Sequence, residues 1–142
     1  SKKIIHAKLI EALRHIPGEV IVEDTSLVLE CLHGLPGPLI KWFLQTIGTN
    51  GLIEITEKFG NNRAVAKTTI GYARNSQEMY FFEGMVHGVV VPARGDLSFG
   101  WESLFQPDGM IQTYGEISVV EKNAVSMRAL AAQQLKNFLE KK

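Results

Sequence analysis

The stretch V-I-V-E-D-T-S-L at residues 20–27 decides how the rest of the sequence is interpreted. Three β-branched apolar residues predict a buried strand at residues 19–22, and two adjacent carboxylates, Glu23 and Asp24, follow at its predicted end. Neighbours on a strand point to opposite faces, but a chain that turns at the strand end can bring both carboxylates into one cleft. There they would suit a hard cation such as Mg²⁺, or a general base acting on water. The structural alternative is that Asp24 caps a turn and Glu23 is solvated.

The composition is that of an ordinary globular protein. The chain has 142 residues, of which 45% are hydrophobic and 21% are charged, and we expect a single domain over residues 1–142. Because 15 Lys and Arg balance 15 Asp and Glu, the net charge predicts no nucleic-acid or membrane partner. Cys31 is the only cysteine, which excludes an intrachain disulfide and predicts a reduced thiol. No apolar run is long enough to span a bilayer, and we expect a cytoplasmic location.

Helical and strand patterns mix along the chain without a regular βαβ order, which predicts a mixed α+β or α/β fold. Predicted helices cover residues 3–15, 39–47 and 122–139, and predicted strands cover residues 19–22, 64–73, 79–91 and 103–105. Gly48 and Gly51 are expected to end the second helix. Gly84 and Gly88, inside a long predicted strand, indicate a bulge or a strong bend.

Aromatic and basic residues in loop-like settings indicate a ligand cleft. Phe99 and Trp101 lie in a glycine-containing segment, and aromatic faces are good platforms for a base. Lys122 and Arg128 lie near the start of the last predicted helix, where cations favour phosphate. The alternative is that the aromatic residues belong to the core and the cations are ordinary surface charges.

Several motifs, taken together, resemble the inosine triphosphate pyrophosphatase family. They are V-E-D-T from Val22, G-L-P-G-P-L-I-K-W-F from Gly34, F-G-W-E-S-L-F-Q-P-D-G from Phe99, T-Y-G-E from Thr113 and E-K-N-A-V-S-M-R from Glu121. The likeness covers nearly the whole chain in the family's order. Enzymes of this family hydrolyse non-standard purine nucleoside triphosphates, those of inosine, xanthosine and their deoxy forms, to the monophosphate and pyrophosphate. The resemblance implies an elongated α/β fold, in which a long curved mixed sheet flanked by helices runs between two lobes around a nucleotide cleft, and a homodimer.

The resemblance also implies roles for individual residues. Asp24 would be the catalytic acid that positions or deprotonates the attacking water, and Glu23 would help it to hold Mg²⁺. The implied substrate-binding residues are Lys8, Lys41 and Lys122 on the triphosphate or ribose side, Phe99 and Trp101 over the purine, and Glu102, Ser126 and Arg128 near its edge.

Three departures from the family pattern affect these expectations. The family begins with a strand and a T-G-N-x-x-K turn that binds the triphosphate, and neither is present in this sequence. We therefore expect a fold truncated at the N-terminus, with an open sheet edge that favours dimerisation. Met127 stands where the family motif S-H-R has its His, and a thioether donates no hydrogen bond to a purine keto oxygen, so selectivity against adenine should weaken. Glu102 replaces the family's Asp and keeps its charge.

Two functions are therefore compatible with the sequence. The first is Mg²⁺-dependent hydrolysis of non-standard purine nucleoside triphosphates. The alternative is a non-catalytic relative, a nucleotide-binding or structural dimer that lost turnover together with the N-terminal segment.

Overall fold

An open antiparallel sheet is the centre of the fold. The computed structural model describes residues 2–141, except for the side chain of Phe99. The strands are β1 (Val20–Leu29), β2 (Pro36–Gly37), β3 (Arg63–Asn75), β4 (Glu78–Val90) and β5 (Phe105–Pro107), in the order β2-β1-β3-β4-β5. All pairings among the described strands are antiparallel. The mixed α/β class predicted from the sequence is confirmed.

Four α-helices and two 3₁₀ segments complete the described chain. The α-helices are α1 (Lys2–His15), α2 (Ile40–Phe59), α3 (Val119–Val125) and α4 (Met127–Glu140), and the 3₁₀ segments are Glu30–Leu32 and Leu97–Leu104. The predicted break at Gly48 is present, because its backbone is non-helical with a φ of 69°, but a further helical stretch follows it and continues through Gly51 to Phe59. The last predicted helix is two helices, which meet at Ser126. No helix within residues 2–141 is both long and apolar enough to cross a membrane.

Strand β1 is longer than predicted. It continues past Val22 to Leu29, because residues 23–29 pair in continuous antiparallel register with β3, and Thr25 and Thr68 also share a hydrogen bond of 3.2 Å across the pair. Cross-strand pairing of this kind overrides the low β-propensity of acidic residues. The prediction that the two carboxylates lie at a strand end was wrong, since Glu23 and Asp24 are in the middle of β1.

The two faces of the sheet are covered by different helices. Helix α1 packs on one face, where its fully buried Ile5 and Leu9 join Val20 and Ala73 in a small core. Helix α4 packs on the other face, where Ala131 and Leu135 contact Ile70 and Tyr72. A third and larger core joins the far end of the sheet to α2, the second 3₁₀ segment and β5; its bulky members include Leu27, Leu52, Trp101, Phe105 and Tyr114.

One edge of β1 is open over most of its length. The short strand β2 pairs only with Leu27 and Val28, so residues 20–26 have no strand partner on the side away from β3 within the described chain. This agrees with the open edge expected from the sequence. The carboxylates of β1 are therefore on an edge strand, not in the interior of the sheet.

Gly84 and Gly88, inside β4, allow neighbouring elements to pack closely against that strand. The register between β3 and β4 is continuous past Gly84 and Gly88 and shifts only near Ala73 and Asn75, so the predicted bulge at these glycines was wrong. A Cβ at Gly84 would overlap the carbonyl oxygen of Met127 and lie 2.8 Å from the backbone nitrogen of Ala131. Glycine is needed at Gly84 because the backbone of α4 lies directly against the strand.

Replacing Gly84 by alanine should therefore destabilise the fold. We expect a loss of about 1–3 kcal/mol in the free energy of unfolding, because backbone atoms of α4 cannot move aside as a side chain can. Denaturant unfolding followed by circular dichroism measures this loss. Met85→Ala is the matched control on the opposite face, where the side chain is 49% exposed, and it should cost less than about 0.5 kcal/mol. Equal midpoints for Gly84→Ala and the wild type would contradict this account of α4 packing.

Candidate functional site

A cavity of about 280 Å³ lies where the second 3₁₀ segment, α3 and the start of α4 meet. Its lining combines acidic, basic and hydroxyl groups with apolar ones: Glu102, Tyr114, Lys122, Asn123, Ser126, Met127, Arg128, Ala129 and Ala132. Four residues predicted to bind substrate, Glu102, Lys122, Ser126 and Arg128, are therefore brought together. They come from sequence positions up to 26 apart, as the difference between 128 and 102 shows.

Two ion pairs border this cavity. The Lys122 ammonium lies 2.6 Å from a carboxylate oxygen of Glu102, and both side chains are more than four-fifths buried. The Arg128 guanidinium donates to Glu23 of β1 at 3.0 Å in a more exposed setting. Each cation is thus held at a defined place, and charged groups of both signs face a ligand that enters the cavity.

The junction between α3 and α4 presents the basic residues to the cavity. Ser118 and Glu121 form a capping box that begins α3. Ser126 ends α3 by donating its backbone N–H to the carbonyl of Lys122, and its hydroxyl accepts from the N–H of Ala129 to cap α4. The positive end of the α4 dipole is therefore beside the cavity, together with Arg128 in its first turn.

Tyr114 supports the α3–α4 junction from inside the core, a role that the sequence did not predict. Its side chain is fully buried, and its hydroxyl donates to the carbonyl of Val125, the last residue of α3, at 3.2 Å. Burial, and secondly the nearby charge of Glu102, raise the pKa of Tyr114 well above its usual value, so the phenol stays protonated and remains a donor. The T-Y-G-E motif pointed to this residue, but only the fold shows which carbonyl it holds.

A second set of polar residues, Asp24 with Lys8, lies on the other face of β1, which α1 covers. Lys8 of α1 donates to the backbone carbonyl of Glu23 at 3.0 Å and to Oδ1 of Asp24 at 3.4 Å. The other carboxylate oxygen of Asp24, Oδ2, is buried and accepts no hydrogen bond from the described residues. The structure thus places the Lys8 ammonium beside the Asp24 carboxylate.

Glu23 and Asp24 do not share a cleft in the way predicted. Glu23 pairs across the sheet with Ile70 on the face covered by α4, whereas Asp24 pairs with Thr69 on the face of α1. The cause is the alternation of side chains along a strand that continues where a turn was expected. Both carboxylates lie beside the edge of β1 that has no strand partner in the described chain.

Three predicted substrate-binding residues lie elsewhere or are not described. The indole of Trp101 is only 7% exposed and packs edge to face on Phe105 at 6.0 Å, so it is a core residue and does not line the cavity. Lys41 is exposed on the first turn of α2 and is likewise outside the cavity lining. The side chain of Phe99 lies outside the described part of the chain.

The residues around Asp24 fit a magnesium ion that is shared with a ligand. Within the described chain no group of three or more His, Cys, Asp or Glu could enclose a metal. Mg²⁺, however, is commonly held by one or two carboxylates together with water and substrate phosphates. Asp24 has the unused acceptor capacity for this role. Glu23 lies on the other face and is paired with Arg128, so its predicted metal role would require that ion pair to open.

Comparison with known sequences gives one family. The sequence profile described as the Ham1 family matches residues 1–138. An inosine triphosphate pyrophosphatase of Schizosaccharomyces pombe is 42% identical over 140 residues, which cover 98% of this chain and 74% of that protein. An inosine triphosphate pyrophosphatase of Kluyveromyces lactis is 41% identical over 142 residues, covering 97% of this chain and 73% of that protein.

Solved structures share the fold. A HAM1 protein from Coxiella burnetii superposes with a TM-score of 0.89 at 21% identity, over 97% of this chain and 75% of that one. A nucleoside-triphosphatase, described as a dITP/XTP pyrophosphatase, from Mycobacterium abscessus superposes with a TM-score of 0.77 at 25% identity, over 92% of this chain and 74% of that one.

Proposed function

The chain belongs to the Ham1 family, and on that basis we propose that it hydrolyses non-standard purine nucleoside triphosphates to the monophosphate and pyrophosphate in the presence of Mg²⁺. Its homologues are inosine triphosphate pyrophosphatases. The substrate class for this chain is that of inosine, xanthosine and deoxyinosine triphosphates.

The observation that carries the proposal is the pair of polar groups on either side of the open edge of β1. One side holds the cavity with Lys122, Ser126 and Arg128, and the other holds Asp24 beside Lys8. A nucleoside triphosphate is an elongated ligand with an uncharged base at one end and a polyanion at the other. It would cross the edge of β1 with its base in the cavity and its phosphates towards Asp24.

Asp24 and Lys8 would act at the phosphate end. The Lys8 ammonium attracts the phosphate charge, and its contact with Oδ1 fixes the orientation of the Asp24 carboxylate. Because a carboxylate oxygen accepts more than one hydrogen bond, Oδ1 can keep its contact with Lys8 while it orients the attacking water and takes up its proton. If Mg²⁺ is bound, Asp24 would hold it, and the metal would neutralise phosphate charge for displacement at phosphorus.

The cavity would hold the nucleoside. Arg128 and Lys122 supply fixed donors, and Glu102 and the Ser126 hydroxyl supply acceptors at the same wall. Tyr114 keeps the α3–α4 junction in place through its bond to Val125. Because these polar groups are already held in position, little side-chain entropy is lost when a base binds. Their fixed donors and acceptors favour a base whose edge offers matching hydrogen-bond groups.

The oligomeric state and the cellular location are also proposals. We expect a homodimer, because the open edge of β1 leaves backbone hydrogen-bonding groups without a strand partner in the described chain. We also expect a cytoplasmic location, where nucleoside triphosphates are made and used.

The direct test is pyrophosphate release from ITP, XTP and dITP with Mg²⁺. The wild-type chain should release pyrophosphate, chelation of the metal should stop it, and Asp24→Asn should lower kcat by about 100-fold or more because an amide cannot take up the proton. Glu54→Gln, on an exposed turn of α2, removes a carboxylate away from the site and should leave kcat within about two-fold.

The assay also separates the two functions. No release above that of Asp24→Asn, with any purine or pyrimidine nucleoside triphosphate, would refute the hydrolase proposal. Calorimetric binding of a nucleoside triphosphate without turnover would then support the alternative, a non-catalytic nucleotide-binding relative.

Met127 should determine base preference. It lines the cavity but packs almost completely into the core, and its thioether offers no hydrogen-bond donor. Met127→His should raise the ratio of kcat/KM for ITP over ATP by about 10-fold or more, because a site that bonds a keto oxygen rejects an amino group. Met127→Leu, which also lacks a donor, is the matched control and should change the ratio less than about two-fold. An unchanged ratio in a folded Met127→His variant would contradict this role.

A further inference from the structure

Two buried side-chain atoms on the face of the sheet covered by α1 lack a hydrogen-bond partner in the described part of the chain. They are Oδ2 of Asp24 and Oγ1 of Thr69. Buried polar atoms are almost always bonded in folded proteins, because an unmade bond costs the desolvation of the group without compensation. Each of these atoms therefore calls for a partner within reach.

The two residues are direct neighbours. Asp24 of β1 pairs with Thr69 of β3, so both side chains point to the face of α1. Directly opposite residues of an antiparallel pair have Cβ atoms about 4.5–5.5 Å apart. One residue offers an acceptor and the other a hydroxyl donor, so each can satisfy the other after a small rotation of the side chains.

The other neighbour of Thr69 accepts no hydrogen bond from its hydroxyl in the structure. Thr69 also pairs with Glu83 of β4, on the same face of the sheet. The Glu83 carboxylate already forms an ion pair with Lys67 at 3.5 Å. Lys8, in turn, contacts Oδ1 of Asp24, which leaves Oδ2 as the oxygen available to Thr69.

Thr68 provides a contrast within the same strand. It is fully buried like Thr69, but it faces the opposite side of the sheet, and its hydroxyl bonds to that of Thr25 at 3.2 Å. One of two adjacent threonines therefore has a structural bond, and the other has an unused donor beside the predicted catalytic carboxylate.

We propose that Thr69 is a positioning residue for Asp24: its hydroxyl donates to Oδ2 and holds the carboxylate in the orientation that acts on the attacking water. This inference rests on the function proposed above. Each carboxylate oxygen accepts more than one hydrogen bond, so the bond from Thr69 leaves Asp24 able to meet water or a metal. Because Thr69 acts through Asp24 and not on the substrate, its loss should affect kcat and leave KM nearly unchanged.

Thr69→Val and Thr68→Val form the matched experiment. Thr69→Val should lower kcat by roughly 10-fold or more with KM within about two-fold, and Thr69→Ser, which keeps the hydroxyl, should restore kcat. Thr69→Val should also lower the thermal midpoint by roughly 3–5 °C, because the buried Oδ2 of Asp24 loses its donor. Thr68→Val should lower the midpoint by a similar amount, because it also loses a buried hydrogen bond, but it should leave kcat within about two-fold.

Each result decides the proposal. Wild-type kcat in Thr69→Val, or a loss that Thr69→Ser does not restore, would overturn it, and so would a Thr69→Val midpoint equal to that of the wild type. Absence of turnover in the wild-type chain would instead be a failure of the proposed function. In that case the midpoints alone decide: a Thr69→Val midpoint below that of the wild type is the result expected from a bond to Asp24, and an unchanged midpoint would overturn that bond.

Discussion

The alternation of side chains along an edge strand is the constraint on which the site depends. Strand β1 carries Glu23 to the face of α4 and Asp24 to the face of α1, and its outer edge has no strand partner over residues 20–26 in the described chain. Because the two carboxylates are consecutive, neither can change face unless the strand shifts its register by one residue. The long pairing with β3 prevents such a shift. Any ligand that contacts both carboxylates must therefore pass around the edge of β1.

The three cores fix the two halves of this site separately. Helix α1, held by Ile5 and Leu9, determines where the Lys8 ammonium lies relative to Asp24. On the other face, Tyr114 and the cap at Ser126 hold the α3–α4 junction, which carries Lys122 and Arg128. The close approach of α4 to Gly84 sets the height of that junction above the sheet. Packing on each face thus determines the position of the charges on that face.

The sequence predicted the class of fold and most of the elements, but not their ends. The long strands β3 and β4 and helix α1 were predicted within a few residues, because periodic apolar patterns dominate there. Where local signals and tertiary contacts disagree, the contacts prevail: β1 continues through two acidic residues. The break predicted at Gly48 is present, but the helical stretch that follows it was not predicted. In the site, the motifs named Glu102, Lys122, Ser126 and Arg128, and the structure places all four in the lining of one cavity. Motifs carry no information on strand register, so the separation of the carboxylates and the pairing of Asp24 with Thr69 could not be predicted.

The claim that one ligand spans both faces of β1 is tested most directly by an NMR titration of the ¹⁵N-labelled chain. The ligand would be a non-hydrolysable ITP analogue with Mg²⁺, and a titration with Mg²⁺ alone would be the reference. The account predicts that the amides of Asp24 and Thr69 shift together with those of Ser126 and Arg128, along a single binding curve. Shifts confined to one face of β1, or two curves with different affinities for the two faces, would contradict it.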